Sequence, residues 1–284
     1  MMTPITFASP RCGEQLPVFD RFVCILADTA AARRLHHQVR FKVFCEDTGF
    51  ENPDAFPMQA EHDRYDPYAR HFIVWDRQQR QCAGAMRLVD ASRTRLPSEE
   101  LVGTPLRGLA ERRPHAVEFS RLCILKDYRQ TVQAEQYGWY QPAGQSASDG
   151  YGALFRQFDN DVFLRLLRAS LAWSPDIRYC YFIVTAALSR VLTRFGIALT
   201  RVGREIEHRG TRIPFRYDVE QADLGMRETL ASFAAIAATS PAYLSASEFF
   251  SGDSDIFSGD SDSAVAAAPF HQAPVAISPS ALSA

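Results

Sequence analysis

The sequence predicts an α/β (α+β) protein built on one mixed, mainly antiparallel central sheet with helices on both faces. Short runs of β-branched and aromatic residues recur along the chain, as strands require. Between them, apolar residues switch to helical spacing. The resulting order is strand, helix, long loop, three strands, helix, strand, helix and two strands, which a layered sheet accommodates.

Residues 22–26 (Phe-Val-Cys-Ile-Leu) read as the first strand. Over residues 30–45 the apolar positions Leu35, Val39, Val43 and Phe44 fall on one helical face, with Asp28 and Thr29 as N-cap candidates. Gly49, Pro53 and Pro57 make residues 47–67 a long loop. Strands follow at 71–75 and 82–88, joined by the polar turn 76–80. A further loop carries Pro97, Pro105 and Pro114, and 116–125 reads as a central strand. Residues 126–150 are polar and rich in Gln, Gly and Ser, as an insertion would be. The apolar stripe Leu154, Phe158, Val162, Leu166 and Leu167 predicts a helix over 154–173. An aromatic strand is expected at 178–185, and a helix at 186–195 stopped by Gly196. Strands at 197–202 and 213–219 complete the sheet.

This divides the chain into an N-terminal extension (1–20), one domain (21–221), and a C-terminal segment (222–284) expected to hold a helix and a disordered low-complexity tail. No Lys or Arg follows Arg227, and Phe250-Ser-Gly-Asp-Ser-Asp is repeated from Phe257. Small polar residues bury too little surface to offset ordering entropy. The spacing of Asp253, Asp255, Asp260 and Asp262 is not that of an EF-hand loop, so no calcium site is predicted.

A net charge of -2 gives no sign of general nucleic-acid affinity. The six cysteines form no CxxC pair and several sit in apolar runs, as reduced, buried thiols do. No zinc framework or other metal site is expected. With no secretory signal and no apolar run long enough to span a bilayer, a cytoplasmic location is expected.

Two charged clusters hold the candidate chemistry: 61–66 (Glu-His-Asp-Arg-Tyr-Asp) and 118–121 (Glu-Phe-Ser-Arg). Arg87 interrupts an apolar strand, so its guanidinium needs a carboxylate, with Glu118 or an acidic loop residue as the natural partner. Glu118 and Arg121 are three positions apart and face opposite sides of a sheet unless a bulge intervenes. A carboxyl there, against apolar walls, would have a raised pKa and could accept a proton from an attacking amine.

Arg40…Phe44, Gly49-Phe50, Asp63-Arg64-Tyr65-Asp66, Gly84-Ala85-Met86-Arg87 and Glu118-Phe119-Ser120-Arg121 occur in this order. Their order and spacing resemble the pattern of the acyl-homoserine-lactone (autoinducer) synthases and the related long-chain N-acyl amino acid synthases. Those families share the Gcn5-related N-acetyltransferase (GNAT) fold, which fits the predicted element order. The wording of residues 44–47 and 118–122 is most similar to the acyltransferases associated with the bacterial exosortase (PEP-CTERM) system.

The resemblance implies an N-acyltransferase that moves a medium- or long-chain acyl group from a thioester to the amine of an amino acid or related molecule. Glu118 would be the base and Arg121 would hold the loop or the donor's phosphopantetheine. Arg40, Phe44, Phe50, Asp63, Asp66, Arg87 and Thr185 would shape the substrate pocket. No tightly bound cofactor is implied; the acyl thioester, on an acyl-carrier protein or coenzyme A, is a co-substrate. An acyl-carrier protein is the implied partner, and the arginines 204, 209 and 212 could offer it a basic face, although a solvated hairpin is the better reading of those three. Phe50 stands where the lactone synthases carry Trp, which weakens the alternative of a lactone synthase using S-adenosylmethionine. The Arg-x-x-Gly-x-Gly loop that grips coenzyme A is not evident after Lys126, which favours a carrier-bound donor. A third reading is a non-catalytic domain binding an acyl carrier or nucleic acid, motivated by the basic run 107–113.

Overall fold

In a computed structural model, residues 21–128, 158–173, 176–194, 196–221 and 241–251 are described. Strand β1 (Phe22–Leu26) leads into helix α1 (Ala30–Phe41), where the Thr29 hydroxyl caps the first turn by accepting from Ala32 N at 3.1 Å. The expected helix continues to Asp47, but as a π-helical turn over Lys42–Asp47. Thr48 N bonds the carbonyl of Val43, five residues back, at 3.1 Å.

Strands β2 (Ala69–Asp76), β3 (Gln81–Asp90) and β4 (Ala116–Ile124) form antiparallel neighbours with β1. Between β3 and β4, the proline-bearing stretch expected to be a loop contains two short helices, α2 (Pro97–Val102) and α3 (Leu109–Arg112). Pro97 at the first helical position, with the Glu99 side chain accepting from Leu96 N at 2.7 Å, starts α2. Helix α4 (Phe158–Ala172), β5 (Tyr179–Val184), α5 (Ala186–Arg194), β6 (Leu199–Arg201), β7 (Ile206–Glu207) and β8 (Thr211–Asp218) follow. The part of the predicted helix at 154–157 lies outside the described residues, as does the 129–150 portion of the expected insertion.

With a last short strand β9 (Leu244–Ser245), the sheet order is β6-β8-β5-β4-β3-β2-β1-β9, and β7 is attached to β8. Among the described strands, only β4–β5 and β1–β9 are parallel. Alternation along β2 sends Phe72 and Val74 to one face and Ile73 and Trp75 to the other. The first face packs on α4 through Val162, Leu166 and Leu167, and the second on α1 through Ala32 and Val39. Helices therefore cover both faces, as expected. The five described cysteines are buried, and burial pushes the Cys24 thiol up to about 12. No helix among the described residues is long and apolar enough to cross a membrane.

Gly84 sits where α4 packs against β3 through Val162. A Cβ there would lie 2.8 Å from both the Cys123 carbonyl and Val162 Cγ1. Gly84→Ala is therefore expected to cost about 1–3 kcal/mol through overpacking, read as a lower urea midpoint at unchanged slope. A midpoint equal to the wild type would mean that α4 and β3 have room to separate there.

The expectation of disorder beyond Ala222 does not hold for residues 241–251. Strand β9 (Leu244–Ser245) adds to the edge of the sheet beside β1, and helix α6 (Ala246–Phe249) follows. Phe250 packs edge-on against Trp75 at 5.4 Å, and Asp28 accepts from Ser247 N at 3.1 Å. The composition is dominated by small polar residues, but Tyr243, Leu244, Phe249 and Phe250 carry enough apolar surface to seat this segment. The duplicated Asp-rich repeat from Gly252 onward lies outside the described residues.

Candidate active site

Strands β4 and β5 pair only over residues 116–118 and 179–181. Beyond that point they have no register partners across the gap, and a cavity of about 310 Å³ opens there, walled by Phe119 and Leu122 of β4 and Phe182 and Val184 of β5. Phe163 and Leu167 of α4 and Leu188 and Leu192 of α5 close its apolar end. The other end carries Arg121, His208, Arg209 and Arg212, with Phe44 and Phe50 beside them.

A bulge in β4 shapes this site. Ala85 pairs with Cys123 but Arg87 pairs with Ser120, so Arg121 and Leu122 together oppose Met86. Arg121 has φ 53°, a left-handed conformation that a non-glycine residue adopts at a cost of about 1 kcal/mol or more. The extra residue brings Arg121 into the ion-pair network that Arg87 also serves, which regular strand alternation would have prevented.

That network joins most of the charged residues singled out from sequence. Arg40, fully buried in the last turn of α1, donates to Glu61 and to Asp66 Oδ1 at 2.6 Å. Arg87, equally buried, reaches Asp63 at 2.5 Å, Asp66 at 2.8 Å and the Ser120 hydroxyl at 3.1 Å. Of its two expected partner types, Arg87 takes the acidic loop rather than Glu118. Arg121 contacts Glu61, Glu51 and Asp63 at 3.2–3.3 Å, and Arg209 meets the same Glu51 oxygen at 2.8 Å. Burial alone would raise the carboxyls of Glu61, Asp63 and Asp66, but the arginines, and His71 at Asp66, outweigh it and hold all three below the usual range.

Glu118 stands apart from these pairs. It is buried on β4, and its Oε2 accepts from Ser98 N at 3.0 Å and Ser98 Oγ at 2.6 Å. Burial, opposed by those two hydrogen bonds, raises its pKa to about 7. A carboxyl with that pKa accepts and returns a proton near neutrality.

Among the residues singled out from sequence, Phe44, Phe50, Arg121, Arg209 and Arg212 line the cavity. The Arg121 guanidinium lies over the Phe44 ring at 5.6 Å, and that of Arg209 over Phe50 at 5.4 Å. Arg40, Asp63, Asp66 and Arg87 form the layer behind the mouth, and Glu118 lies behind the wall, two residues from the cavity-lining Ser120. Thr185 is not part of the lining; its hydroxyl caps α5 by accepting from Leu188 N at 3.2 Å. Sequence reasoning passed over Glu51 and Ser98 and gave Ser120, although quoted in its cluster, no role of its own, because their roles come from contacts distant in sequence. Glu61 was visible in the charged cluster, and Ser98 in the Pro97-Ser98-Glu99 helix start. In the basic run 107–113, Arg107 is exposed, whereas Arg113 bonds Glu99 and the carbonyl of Ala91, and Arg112 the carbonyl of Gly108.

His36, His37 and His71 offer nitrogens within 4.8 Å of one another, a grouping that a metal ion could use. Burial holds all three imidazoles below their usual range, His37 at about 4. The charge of Arg40 lowers all three as well, and it opposes a further cation in the cluster.

Residues 39–139 match a family model described as an acetyltransferase (GNAT) domain. A crystal structure of TofI, in a ternary complex with an inhibitor and MTA, superposes with a TM-score of 0.50. The match covers 72% of this chain and 96% of that one, at 16% identity. The fold is the GNAT fold. The splayed β4–β5 pair and the bulged β4 form the GNAT cleft. Other similar structures include MesI, a CoA-dependent acyl-homoserine lactone synthase, at 19% identity over 75% of this chain and 95% of that one, with a TM-score of 0.48. FeeM, an N-acyl amino acid synthase from uncultured soil microbes, is 13% identical over 73% and 98%, with a TM-score of 0.45. No curated protein matches the chain significantly.

Proposed function

We propose that the chain is an N-acyltransferase that moves a medium- or long-chain acyl group from a thioester to the amine of an amino acid or related small molecule. The observation that carries this reading is the GNAT cleft itself, where an apolar cavity of about 310 Å³ adjoins a bulged strand and a basic mouth. The acyl chain lies among Phe119, Phe163, Phe182 and Leu188, gaining burial of apolar surface. The thioester carbonyl meets the backbone N–H groups of the bulge, which stabilise the oxyanion of the tetrahedral intermediate.

The amine nitrogen attacks the carbonyl carbon, forming the C–N bond. Glu118 takes the amine proton through a bridging water, since it lies behind the cavity wall. Collapse of the intermediate breaks the C–S bond, and the leaving thiolate takes up the proton that Glu118 accepted, so the amide and a free thiol form and the carboxylate is regenerated. The donor is a thioester of an acyl-carrier protein or coenzyme A, with no tightly bound cofactor, and the buried thiols favour a reducing compartment such as the cytoplasm. Within this reading the chain belongs with the exosortase-associated acyltransferases, as the wording of residues 44–47 and 118–122 implies.

Mass spectrometry of lipid extracts from cells expressing the chain is expected to show an acylated amine that Glu118→Gln removes. An unchanged lipid profile in both strains would sink the reading. A lactone synthase is the competing assignment. It predicts consumption of S-adenosylmethionine with an acyl thioester present, and Phe50 in place of Trp argues against it.

A further inference from the structure

The cavity is amphipathic in a way that specifies the head of its ligand. Its walls are apolar, no carboxylate lines it among the described residues, and its mouth holds Arg121, Arg209, Arg212 and His208. Arg121 and Arg209 are already engaged, sharing the Glu51 oxygen at 3.2 and 2.8 Å. Arg212 is different. Its Nε and Nη2 donate to the backbone carbonyls of His208 at 3.3 Å and Arg209 at 3.0 Å, and it has no carboxylate partner among the described residues. These bonds fix the guanidinium on the β7–β8 hairpin without giving it a countercharge among the described residues. The neighbouring imidazole responds to the same field: burial first, then Arg209 and Arg212, hold His208 below its usual range.

We infer that Arg212 anchors the carboxylate of the acceptor, so that the cavity holds an anionic N-acyl amino acid rather than a neutral lactone. This rests on the acyl-transfer reading above and deepens it. The shared Glu51 oxygen ties the hairpin directly to the bulged residue Arg121, so the anion site adjoins the point of transfer. In an α-amino acid the carboxylate is attached to the carbon that bears the amine, which suits that closeness. The phosphate of a pantetheine donor lies at the far end of a long arm from its thioester. A guanidinium–carboxylate hydrogen bond is among the stronger polar contacts, so its loss is a measurable change in affinity.

The test uses the full chain and calorimetric titration with N-dodecanoylglycine, its methyl ester, and coenzyme A. The wild type is expected to bind the acid about tenfold or more tightly than the ester. Arg212→Gln is expected to erase that preference without weakening the ester, and Arg212→Lys to keep part of it. Thermal midpoints establish that the variants are folded. Equal binding of acid and ester by the wild type overturns the inference, as does a preference that survives in Arg212→Gln. A variant that loses coenzyme A affinity but keeps its preference for the acid would assign the arginine to the donor phosphate and also overturn it. If the acid binds as expected but no amine is acylated in transfer assays, the anchor stands and the acyl-transfer reading fails.

Discussion

Replacing Arg40 with leucine is expected to destabilise the protein by about 3–5 kcal/mol, the cost of leaving buried charges without their partner. The guanidinium is fully buried and serves Glu61 and Asp66, which are themselves 1% and 9% exposed. After the substitution Glu61 keeps only Arg121 at 3.2 Å, and Asp66 keeps Arg87 at 2.8 Å and His71 at 3.0 Å. The loss has a defined pH dependence. Glu61, Asp63 and Asp66 are held below their usual range in the folded state. Their pairing therefore stabilises the fold above the unfolded carboxyl pKa of about 4 and is lost as pH falls through the lower folded values. The gap between wild type and Arg40→Leu should be full at pH 7 and narrow below about pH 4. Urea midpoints across that range measure it. A loss under about 1 kcal/mol at pH 7 would show that the network behaves like solvated surface pairs.

Glu118→Gln is expected to lower acyl transfer by about a hundredfold or more, the usual contribution of a positioned general base. The same change should make the protein more stable at neutral pH, because the wild-type carboxyl is raised to about 7 by burial. Between the unfolded value of about 4.3 and the folded value, the native state holds more protons than the unfolded one, so wild-type stability falls as pH rises through that window. At about 1.4 kcal/mol per unit, the accumulated difference is about 3–4 kcal/mol by pH 8. Glutamine escapes this, and its amide oxygen can still accept from Ser98. The wild-type rate should rise with pH around 7, and that limb should vanish in the variant. Unimpaired transfer together with a pH-independent stability difference would remove Glu118 from the proton path and from the buried, raised-pKa description.

Much of this arrangement is written in local sequence. Runs such as Phe22-Val-Cys-Ile-Leu and Tyr179-Cys-Tyr-Phe-Ile-Val need no partner to be read as strands, and both lie within a residue or two of the expected ends. The buried arginine at position 87 declared a need for a carboxylate, since an isolated charge in an apolar strand is too costly. Which carboxylate was not legible, because Asp63, Asp66 and Glu118 all satisfy that demand and only the packed loop chooses. The bulge at Arg121–Leu122 depends on the register between β3 and β4, a non-local property. Arg209 and Arg212 read as a solvated hairpin for the same reason: nothing near them reveals that Glu51 draws the hairpin over the cavity. Residues 241–251 escaped because average composition hides a few well-placed aromatics. The π-turn at Lys42–Asp47 looks helical in periodicity, yet its wider winding accompanies the placing of Phe44 at the cavity mouth.

The most direct measurement follows thiol release by the purified chain from dodecanoyl-coenzyme A and from a dodecanoyl-carrier thioester, with and without a panel of amino acids, while the product mass is recorded. The account predicts thiol release that depends on the amine and is matched mole for mole by an N-acylated amino acid. Thiol release that is absent, or that proceeds equally without any amine, would contradict acyl transfer at the β4–β5 cleft.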